Sequence, residues 1–530
     1  MRRAASFVSQ PPVLAALAGL CFLLITYWWL RVDTRGPDND AGRHLTYAWT
    51  YFNDMEDGRP FTWFTEFDPG FAYPPLVHLV GALSLLPGSK LDIETAIFAM
   101  NLVFVPMLVA GAYGVGSIAG DRRTGVLAVL VALGTPMLMS MFHSFMTDGA
   151  LAATVALTAW LVLRSDRFAS WQWSAAAGLA AGLGLMTKSP FVFFVAGLVL
   201  AVLARGGWRH WRNVLVFVGA ALLIAAPWYV THFGEISSHT SSVAQFESVA
   251  PQRTDSPYPE RWTLGNFTWY GWNALNNQVY LPLMLLFLIG VGYSTWRLVK
   301  GWRARGVRAG PPSSDITPEL LAGLIVGYLG ISYLGLDDPR YTLPCLVYFA
   351  VLATAWMAHV PRRVFMAGAV AALLIVAVNT ATVSFGWDLK VDRLTLFNPD
   401  GDSQIRRGKV TVVGRGYVAG PPDKGAELPS IFTGAQSDGV LYVAFGAPPA
   451  GAGTLFFGAG NVILVAREAS LAEGGDPEAL GPDEMLLFQT TEPEPGSCSH
   501  SESEGIYFNL RRGDDERRPW QKYPPYCPLG

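Results

Sequence analysis

The chain contains 530 residues, of which 51% are hydrophobic and only 15% are charged. Its mean hydropathy of +0.30 is too high for an ordinary soluble protein and indicates many membrane spans. The formal net charge of −3 gives no nucleic-acid-binding signature, because such proteins are typically basic. The four cysteines lack the paired spacing of a zinc site, so the composition also excludes a simple zinc-binding motif.

The first apolar run begins after MRRAASF and ends in the aromatic sequence TYWWLRVD. It has no small-residue cleavage site, so we interpret it as an uncleaved first span rather than a secretory signal. Similar runs, near the length that crosses about 30 Å of hydrocarbon, recur along the chain. They predict eleven spans, at about 12–31, 95–118, 125–142, 147–163, 173–187, 190–204, 213–231, 279–297, 318–335, 341–358 and 364–383.

Two further helices are expected outside these spans. Residues 75–87 are apolar but too short to cross a bilayer, so we expect them in the interface or packed on the bundle. Residues 40–57 predict an amphipathic surface helix that holds Asp40 at the depth of the lipid headgroups. The apolar face of this helix consists of Leu45, Ala48, Trp49 and Phe52.

Basic residues are distributed asymmetrically between the loops. Counted from a cytoplasmic N-terminus, every second loop carries a cluster of Arg or Lys, from Arg2 and Arg3 to Arg362 and Arg363. The positive-inside rule therefore predicts a multi-pass protein with a cytoplasmic N-terminus. An odd number of spans then places the C-terminus on the outer side of the membrane.

The composition changes after about residue 384. Short apolar runs, separated by Gly, Pro, Asp and Glu, are KVTVVGRGYV, GVLYVAF, TLFFGAGNVILVARE and MLLFQTT. They predict a strand-rich extracytoplasmic domain, β-rich or α/β, over residues 384–530, after a transmembrane domain over residues 1–383. Outside the cytoplasm a disulfide between Cys498 and Cys527 is permissible, and two free thiols are the alternative.

The unusual polar residues fall in loops that are predicted to face outwards. In chain order they are Asp38, Asp40, Asp148, Lys188, Arg340 and Tyr341. Ionisable groups at span ends are costly unless they are paired or used. His44 follows Asp40 by four residues, a helical spacing that permits a shared metal, so a divalent metal stays open as a cofactor although none is firmly implied.

Each of these residues also has a structural interpretation. Asp148 opens a predicted helix and can cap it, and Lys188 can extend its amine towards the interface. Arg340 can form a purely structural ion pair with Asp337 or Asp338. These alternatives are to be decided by the contacts that the side chains make.

Taken together, the polar residues suit a transfer reaction with an anionic leaving group. A carboxylate can take a proton from an acceptor hydroxyl. A Lys or Arg can neutralise phosphate oxygens as the leaving group departs. Aromatic outer loops suit sugar stacking, and apolar grooves between spans suit a lipid tail.

Several motifs, in their order along residues 12–360, resemble the bacterial GT-C glycosyltransferases, in particular the protein-mannosyltransferase and lipid A aminoarabinose-transferase group. They are a D-x-D after the first span, AYPPLVHLVGAL, FMTDGALAATVALTAWL, GLGLMTKSPFVFF, APWYV and DDPRYTLPCLVYFAVLA. The resemblance implies a GT-C-type transmembrane catalytic domain in the bacterial inner membrane. It further implies transfer of a hexose or pentose from a polyprenyl-phosphate donor to a hydroxyl of a glycan, lipid or protein on the outer face.

The resemblance also implies residue roles. The family's first catalytic carboxylate falls on Asp38 or Asp40, because its usual acidic pair is replaced here by DND. Asp40 is preferred since it begins the amphipathic helix. The second family aspartate falls on Asp148. Donor-phosphate binding is assigned to Lys188, Arg340 and Tyr341.

A polytopic transporter or lipid flippase with an external sensor domain is the competing interpretation. A transporter is expected to carry ionisable side chains in mid-span, near the bilayer centre. The predicted spans are nearly free of such residues, and the charges lie at their ends. A non-catalytic scaffold or receptor, in turn, has no need for charged residues that converge from separate loops. The sequence therefore favours the glycosyltransferase.

Overall fold

The computed structural model describes residues 10–33, 39–65, 73–86, 93–237, 263–305, 315–334, 338–387, 394–395, 409–416, 419–422, 442–445, 486–490 and 506–511. Its principal helices are α1 (Pro11–Val32), α2 (Asn39–Glu56), α3 (Thr62–Thr65), α4 (Leu76–Leu85), α5 (Ile93–Ala119), α6 (Arg122–Leu133), α7 (Pro136–Phe142), α8 (Thr147–Arg164), α9 (Trp171–Leu185), α10 (Phe191–Ala204), α11 (Trp211–Thr231), α12 (Leu264–Asn273), α13 (Tyr280–Arg305), α14 (Thr317–Leu334), α15 (Leu346–Ala355) and α16 (Arg362–Val383). The predicted mainly α-helical fold is confirmed for the described part of the chain.

Six of the described helices are long and apolar enough to cross a membrane. They are α1, α5, α11 with the short 3₁₀ turn before it, α13, α14 and α16. A bent pair, α6 and α7, raises the number to seven if it counts as one span. The protein is thus a multi-span membrane protein, whereas the expected total of eleven spans is not confirmed. Shorter apolar helices include Leu76–Leu85, Phe191–Ala204 and Leu343–His359.

The expected single span over residues 125–142 bends by 65° between α6 and α7. The break falls at Gly134 and Thr135, directly before Pro136, which cannot continue the hydrogen-bond ladder of α6. Asn379 on α16 donates to the freed carbonyl of Gly134 at 3.0 Å. Asn101 on α5 donates to the carbonyl of Phe142, at the other end of α7, at 2.8 Å. Two buried amides therefore fix the short helix that leads towards Asp148.

The predicted amphipathic helix is present as α2, but its surroundings differ from the expectation. Its four apolar face residues are at most 2% exposed and belong to the core of the bundle. A Cβ at Gly81 on α4 would lie 2.9 Å from Ala48, so the two helices pack at a separation that only glycine allows. The apolar face of α2 is thus covered by the protein rather than by lipid headgroups. Residues 76–85, as α4, pack on the bundle.

Helix α8 lies at the centre of the described bundle, with 14 of its 18 residues buried. Its neighbour α5 can approach closely because Gly111 and Gly114 have no side chain. A Cβ at Gly111 would overlap the backbone of Ala156, and a Cβ at Gly114 would overlap the ring of Trp160. Asp148 lies in the first turn of α8, and Arg164 ends the helix. At 1.5 Å per residue, Asp148 and Arg164 are roughly 24 Å apart along the helix axis.

Five short strands are described after residue 384. Strands β1 (Leu394–Thr395) and β2 (Lys409–Val410) pair antiparallel. Strands β3 (Tyr442–Phe445), β4 (Leu486–Thr490) and β5 (Ile506–Arg511) form an antiparallel sheet in the order β3-β5-β4. The existence of a separate strand-rich domain over residues 384–530 stays a prediction. The run at 454–468, Cys498 and Cys527 lie outside the described residues.

Candidate active site

Four charged side chains meet at one end of the helical bundle. Asp40 lies in the first turn of α2 and Asp148 in the first turn of α8. Lys188 lies between α9 and α10, and Arg340 lies in the turn that precedes α15. Asp40 and Arg340 are 300 positions apart in sequence but form an ion pair. The predicted convergence of these four residues is therefore present in the fold.

The innermost contact of this charged cluster joins Lys188 to Asp148. The Lys188 Nζ lies 2.8 Å from the Asp148 Oδ1, and the two side chains are 9% and 2% exposed. Burial alone would lower the pKa of Lys188, but the Asp148 carboxylate and Tyr73 together outweigh burial and raise that pKa above its usual value. Lys188 therefore stays an ammonium and does not extend towards an interface. Asp148 does not act as a cap, because the N-cap position of α8 is Met146.

Arg340 links the remaining carboxylates. Its Nη2 contacts the Asp40 Oδ2 and lies 3.0 Å from the Asp338 Oδ2. Its Nε lies 3.8 Å from the Asp148 Oδ2. Burial would lower the pKa of Arg340, but these carboxylates together raise it well above its usual value. The structural pairing with Asp338 thus coexists with the contact to Asp40, while Asp337 lies outside the described residues.

Aromatic rings cover both cations. The Lys188 Nζ lies 4.7 Å from the ring centre of Tyr341 and 5.7 Å from that of Tyr73. The Arg340 guanidinium lies 5.6 Å from the Tyr341 ring. These distances are within the range of cation–π attraction. Tyr341 therefore stabilises the two cations through its ring, and Tyr73, which the sequence did not single out, does the same for Lys188.

Exposure differs sharply between the carboxylates. The Asp40 side chain is 36% exposed, whereas that of Asp148 is 2% exposed. Asp40 is therefore more accessible from outside the protein than Asp148. Asp38, the other candidate in the first loop, lies outside the described residues. The catalytic and phosphate-binding roles of these residues stay predictions, which the contacts alone do not test.

A buried histidine pair lies beside the cluster. The Nδ1 of His44 lies 2.9 Å from the Nε2 of His78, and the ring centre of His44 lies 5.0 Å from that of Tyr73. Burial lowers the pKa of His78 to about 3, so this ring is neutral at physiological pH. Within the described part of the chain, no group of three or more His, Cys, Asp or Glu side chains is arranged to hold a metal ion. His78 was not identified from the sequence, because a histidine in an apolar run carries no local signal of its partner.

The fold and the site define a multi-span helical membrane protein in which separate segments bring carboxylates and cations together. Residues 74–230 match the family described as dolichyl-phosphate-mannose-protein mannosyltransferase. This segment contains both Asp148 and Lys188. The resemblance to the protein-mannosyltransferase group is confirmed over these residues. No curated protein sequence gave a significant match.

Several solved structures are similar to the chain. ArnT from Cupriavidus metallidurans in the apo state is 18% identical, with a TM-score of 0.44 over 69% of this chain and 62% of that chain. ArnT bound to undecaprenyl phosphate is 17% identical, with a TM-score of 0.45 over 69% and 64%. The archaeal oligosaccharyltransferase AglB from Archaeoglobus fulgidus, in complex with an inhibitory peptide and a dolichol-phosphate, is 12% identical, with a TM-score of 0.39 over 68% and 55%. The chain thus spans less than two thirds of the length of each of these proteins.

Proposed function

We propose that this protein is an integral-membrane glycosyltransferase that moves a sugar from a polyprenyl-phosphate donor to an acceptor hydroxyl. The observation that carries the proposal is the charged cluster, in which the accessible carboxylate of Asp40 lies directly against the buried Arg340, and Lys188 is paired with the buried Asp148. The family match supports a lipid-phosphate-linked sugar, because the family is described by such a donor. A hexose or a pentose fits the proposal, and the acceptor is a glycan, a lipid or a protein.

The transfer follows from the positions of the charges. The Asp40 carboxylate takes the proton of the acceptor hydroxyl, and the hydroxyl oxygen attacks the anomeric carbon of the donor sugar. The bond between that carbon and the phosphate oxygen breaks, and its electrons stay on the phosphate. Lys188 and Arg340 stabilise the charge that develops on this leaving group. The products are the glycosylated acceptor and a polyprenyl phosphate.

The contacts of Arg340 imply that the donor binds before Asp40 can act as a base. Its guanidinium contacts Asp40 and Asp338 at the same time, and the arriving phosphodiester anion of the donor competes with these carboxylates for the same N–H donors. Asp40 is the more exposed of the two and is the one that phosphate displaces. Donor binding therefore releases Asp40 from Arg340 and leaves it able to accept a proton. Asp338 keeps Arg340 in place, since it also accepts the Arg340 backbone N–H at 3.0 Å.

We place this site on the outer face of a bacterial inner membrane, with the N-terminus in the cytoplasm. Two helices support the orientation, because α8 begins beside Asp148 and ends at Arg164, while α10 begins just after Lys188 and is followed by Arg205. Basic residues thus lie at the helix ends remote from the site, as the positive-inside rule requires.

We further propose that residues 1–383 form the catalytic membrane domain and that residues 384–530 form an extracytoplasmic domain. A transporter or flippase is not favoured, because charged side chains in the six candidate spans lie towards their ends.

The direct test uses purified protein in lipid nanodiscs with radiolabelled undecaprenyl-phosphate-mannose as the donor and a periplasmic extract as the source of acceptors. The proposal predicts formation of undecaprenyl phosphate together with a labelled acceptor. The matched pair of variants is Asp40→Asn and Asp57→Asn, since Asp57 follows α2 and its side chain is 54% exposed. Asp40→Asn is expected to lose about 10²–10⁴-fold in rate, the usual contribution of a positioned base. Asp57→Asn is expected to retain wild-type turnover.

Two results would count against the proposal. Equal turnover in Asp40→Asn and Asp57→Asn would remove Asp40 as the base. If aminoarabinose, galactose and arabinose donors on the same lipid were also inactive with wild-type protein, sugar transfer itself would be excluded. A loss in Asp38→Asn instead of Asp40→Asn would move the base two residues earlier and leave the reaction class unchanged.

A further inference from the structure

A segment from the C-terminal part of the chain lies against the helical bundle. Its described residues are 409–416 and 419–422, and we refer to them as the strap. Val410, Thr411 and Ala419 of the strap are at most 8% exposed. Such burial, in a segment that follows the last span, indicates that the strap packs against the helical bundle rather than forming a free linker.

One half of the strap is hydrogen-bonded to the junction between α12 and α13. The backbone N–H of Leu281 donates to the carbonyl of Thr411 at 2.8 Å. The N–H of Thr411 donates to the Asn276 Oδ1, also at 2.8 Å, and the N–H of Gly416 donates to the Tyr280 hydroxyl at 3.0 Å. Backbone groups of the strap are thus satisfied by specific partners on the bundle.

The other half of the strap is fixed beside α1 and α7. The indole N–H of Trp29 donates to the carbonyl of Gly420 at 3.0 Å. The Nδ1 of His143 lies 3.3 Å from the carbonyl of Ala419. The rings of Trp29 and His143 are stacked, with centres 4.4 Å apart and an angle of 8° between them. His143 lies five residues before Asp148, so this half of the strap lies near a segment that carries part of the site.

The junction that holds the first half of the strap also holds the turn that carries Arg340. Residues Ala274–Gln278 form a π-helical segment, a feature often found at functional positions. The Gln278 amide donates to the carbonyl of Pro339 and, at 2.8 Å, to the Thr342 hydroxyl. These two contacts flank Arg340 on both sides. Gln278 is only 5% exposed, so an unmade bond there would be costly.

The junction is also conformationally strained. Tyr280 has a φ of +62°, which a non-glycine residue rarely adopts and which persists only where the surroundings determine it. The N–H of Gly416 binds the side-chain hydroxyl of this residue, and the backbone N–H of the next residue, Leu281, binds the carbonyl of Thr411. The strap therefore supplies part of what holds the π-helical segment and its neighbours in this conformation.

We propose that Gln278 is a positioning residue for Arg340 and that the strap fixes Gln278 through Asn276. The positioning role rests on the proposed function, since Arg340 is assigned there to the donor phosphate. The structural coupling between the strap and residues 339–342 does not depend on that assignment. The guanidinium must face the phosphate in a defined direction for its charge to act on the leaving group. Loosening of residues 339–342 is therefore expected to raise the KM for the donor more than it lowers kcat.

The test compares four single substitutions on the π-helical segment. Asn276→Leu removes the acceptor for the Thr411 N–H, whereas Asn276→Asp keeps an oxygen at that position. Asn277→Leu is the matched control, because the Asn277 amide donates to the Asn273 Oδ1 at 2.6 Å rather than to the strap. Gln278→Met removes the two bonds to residues 339–342 with little change in volume and provides a second, independent route.

Two measurements are made on the full-length protein in nanodiscs. The first is hydrogen exchange of peptides that cover residues 338–345, and the second is the donor KM and kcat with undecaprenyl-phosphate-mannose or whichever donor sugar is active. Asn276→Leu and Gln278→Met are expected to accelerate exchange in residues 338–345 and to raise donor KM about tenfold, the order of magnitude of one lost hydrogen bond. Asn276→Asp is expected to show an exchange rate at residues 338–345 and a donor KM close to those of the wild type. Asn277→Leu is expected to match the wild type in both measurements.

The outcomes separate this inference from the proposed function. Faster exchange of residues 409–416 in Asn276→Leu, with unchanged exchange at 338–345 and unchanged donor KM, would overturn the coupling. An unchanged donor KM in Gln278→Met would overturn the positioning role. Faster exchange at 338–345 in a protein whose wild type transfers no sugar would leave the coupling intact and remove only the proposed function.

Discussion

The Lys188–Asp148 pair gives the sharpest test of how the site is held together. In Asp148→Asn the carboxylate charge is removed while the shape is kept, so Lys188 is left buried at 9% exposure without its ion pair. Arg340 is less affected, since it retains Asp338 and Asp40. Breaking a buried pair in this way typically costs about 3–5 kcal/mol. Asn can still accept one hydrogen bond, so we expect a loss of about 3 kcal/mol in the free energy of unfolding.

The second substitution, Lys188→Met, makes this expectation specific. The double variant Asp148→Asn/Lys188→Met has no unpaired ammonium, so it is expected to be more stable than Asp148→Asn alone, with a coupling energy of about 1–3 kcal/mol. Stability is measured by reversible SDS unfolding in mixed micelles. Strictly additive losses would refute the ion-pair reasoning. Activity is expected to stay lost in the double variant, because Lys188 is assigned to the donor phosphate.

The pH dependence of Asp148→Asn follows from the same contact. In the wild type the pKa of Lys188 is raised above 10.5, so the pair's contribution is complete at neutral pH and is lost only as pH rises through that higher value. In Asp148→Asn burial acts on Lys188 without the carboxylate and lowers its pKa below that of the unfolded chain. The unfolded state then binds more protons, so the variant gains stability as pH rises towards 10.5. A loss of stability over that range would contradict this assignment.

Three further predictions concern separate parts of the molecule. Arg340→Ala is expected to raise donor KM as well as to lower kcat. Asp40→Asn is expected to lower kcat without weakening donor binding, because the donor phosphate no longer has to displace a carboxylate from Arg340. Steady-state kinetics and lipid-binding titration measure both effects. Burial lowers the pKa of His78 to about 3, so between pH 6.5 and about 3 the folded protein binds fewer protons than the unfolded chain. The free energy of unfolding should therefore fall by up to about 1.4 kcal/mol for each unit by which the pH is lowered in this range, and His78→Leu should reduce this slope. Gly81→Leu is expected to force α4 away from Ala48 and to lower the melting temperature without changing which donor is used.

The helical character of the chain could be predicted because apolar runs of about 20 residues are typical of membrane-spanning helices. The bend between α6 and α7 was missed, although Gly134, Thr135 and Pro136 are a visible break signal, because the run remains apolar on both sides. The predicted environment of α2 was also wrong, because its apolar face packs in the core of the bundle. An amphipathic pattern shows that one face is buried, but it does not distinguish burial in lipid headgroups from burial against α4.

The charged cluster was predictable for a different reason. Asp148, Lys188 and Arg340 were identified by their places at the ends of apolar runs, where an ionisable group is costly unless it has a partner. Their actual partners depend on contacts between distant segments. Gln278 and Asn276 gave no signal, because polar residues just before a span resemble an ordinary loop end. The strap that Asn276 contacts begins more than 130 residues later, and Gln278 binds residues about 60 positions away.

The most direct test of the central claim is mass spectrometry of the lipids that remain bound to wild-type protein purified from its native membrane. We predict an enriched polyprenyl phosphate or its sugar-linked form, in an amount that falls in Lys188→Ala and Arg340→Ala but not in Asp57→Asn. Bulk phospholipids alone in the wild type, or a polyprenyl phosphate retained equally by all four proteins, would contradict the assignment of these two cations to a lipid-linked phosphate.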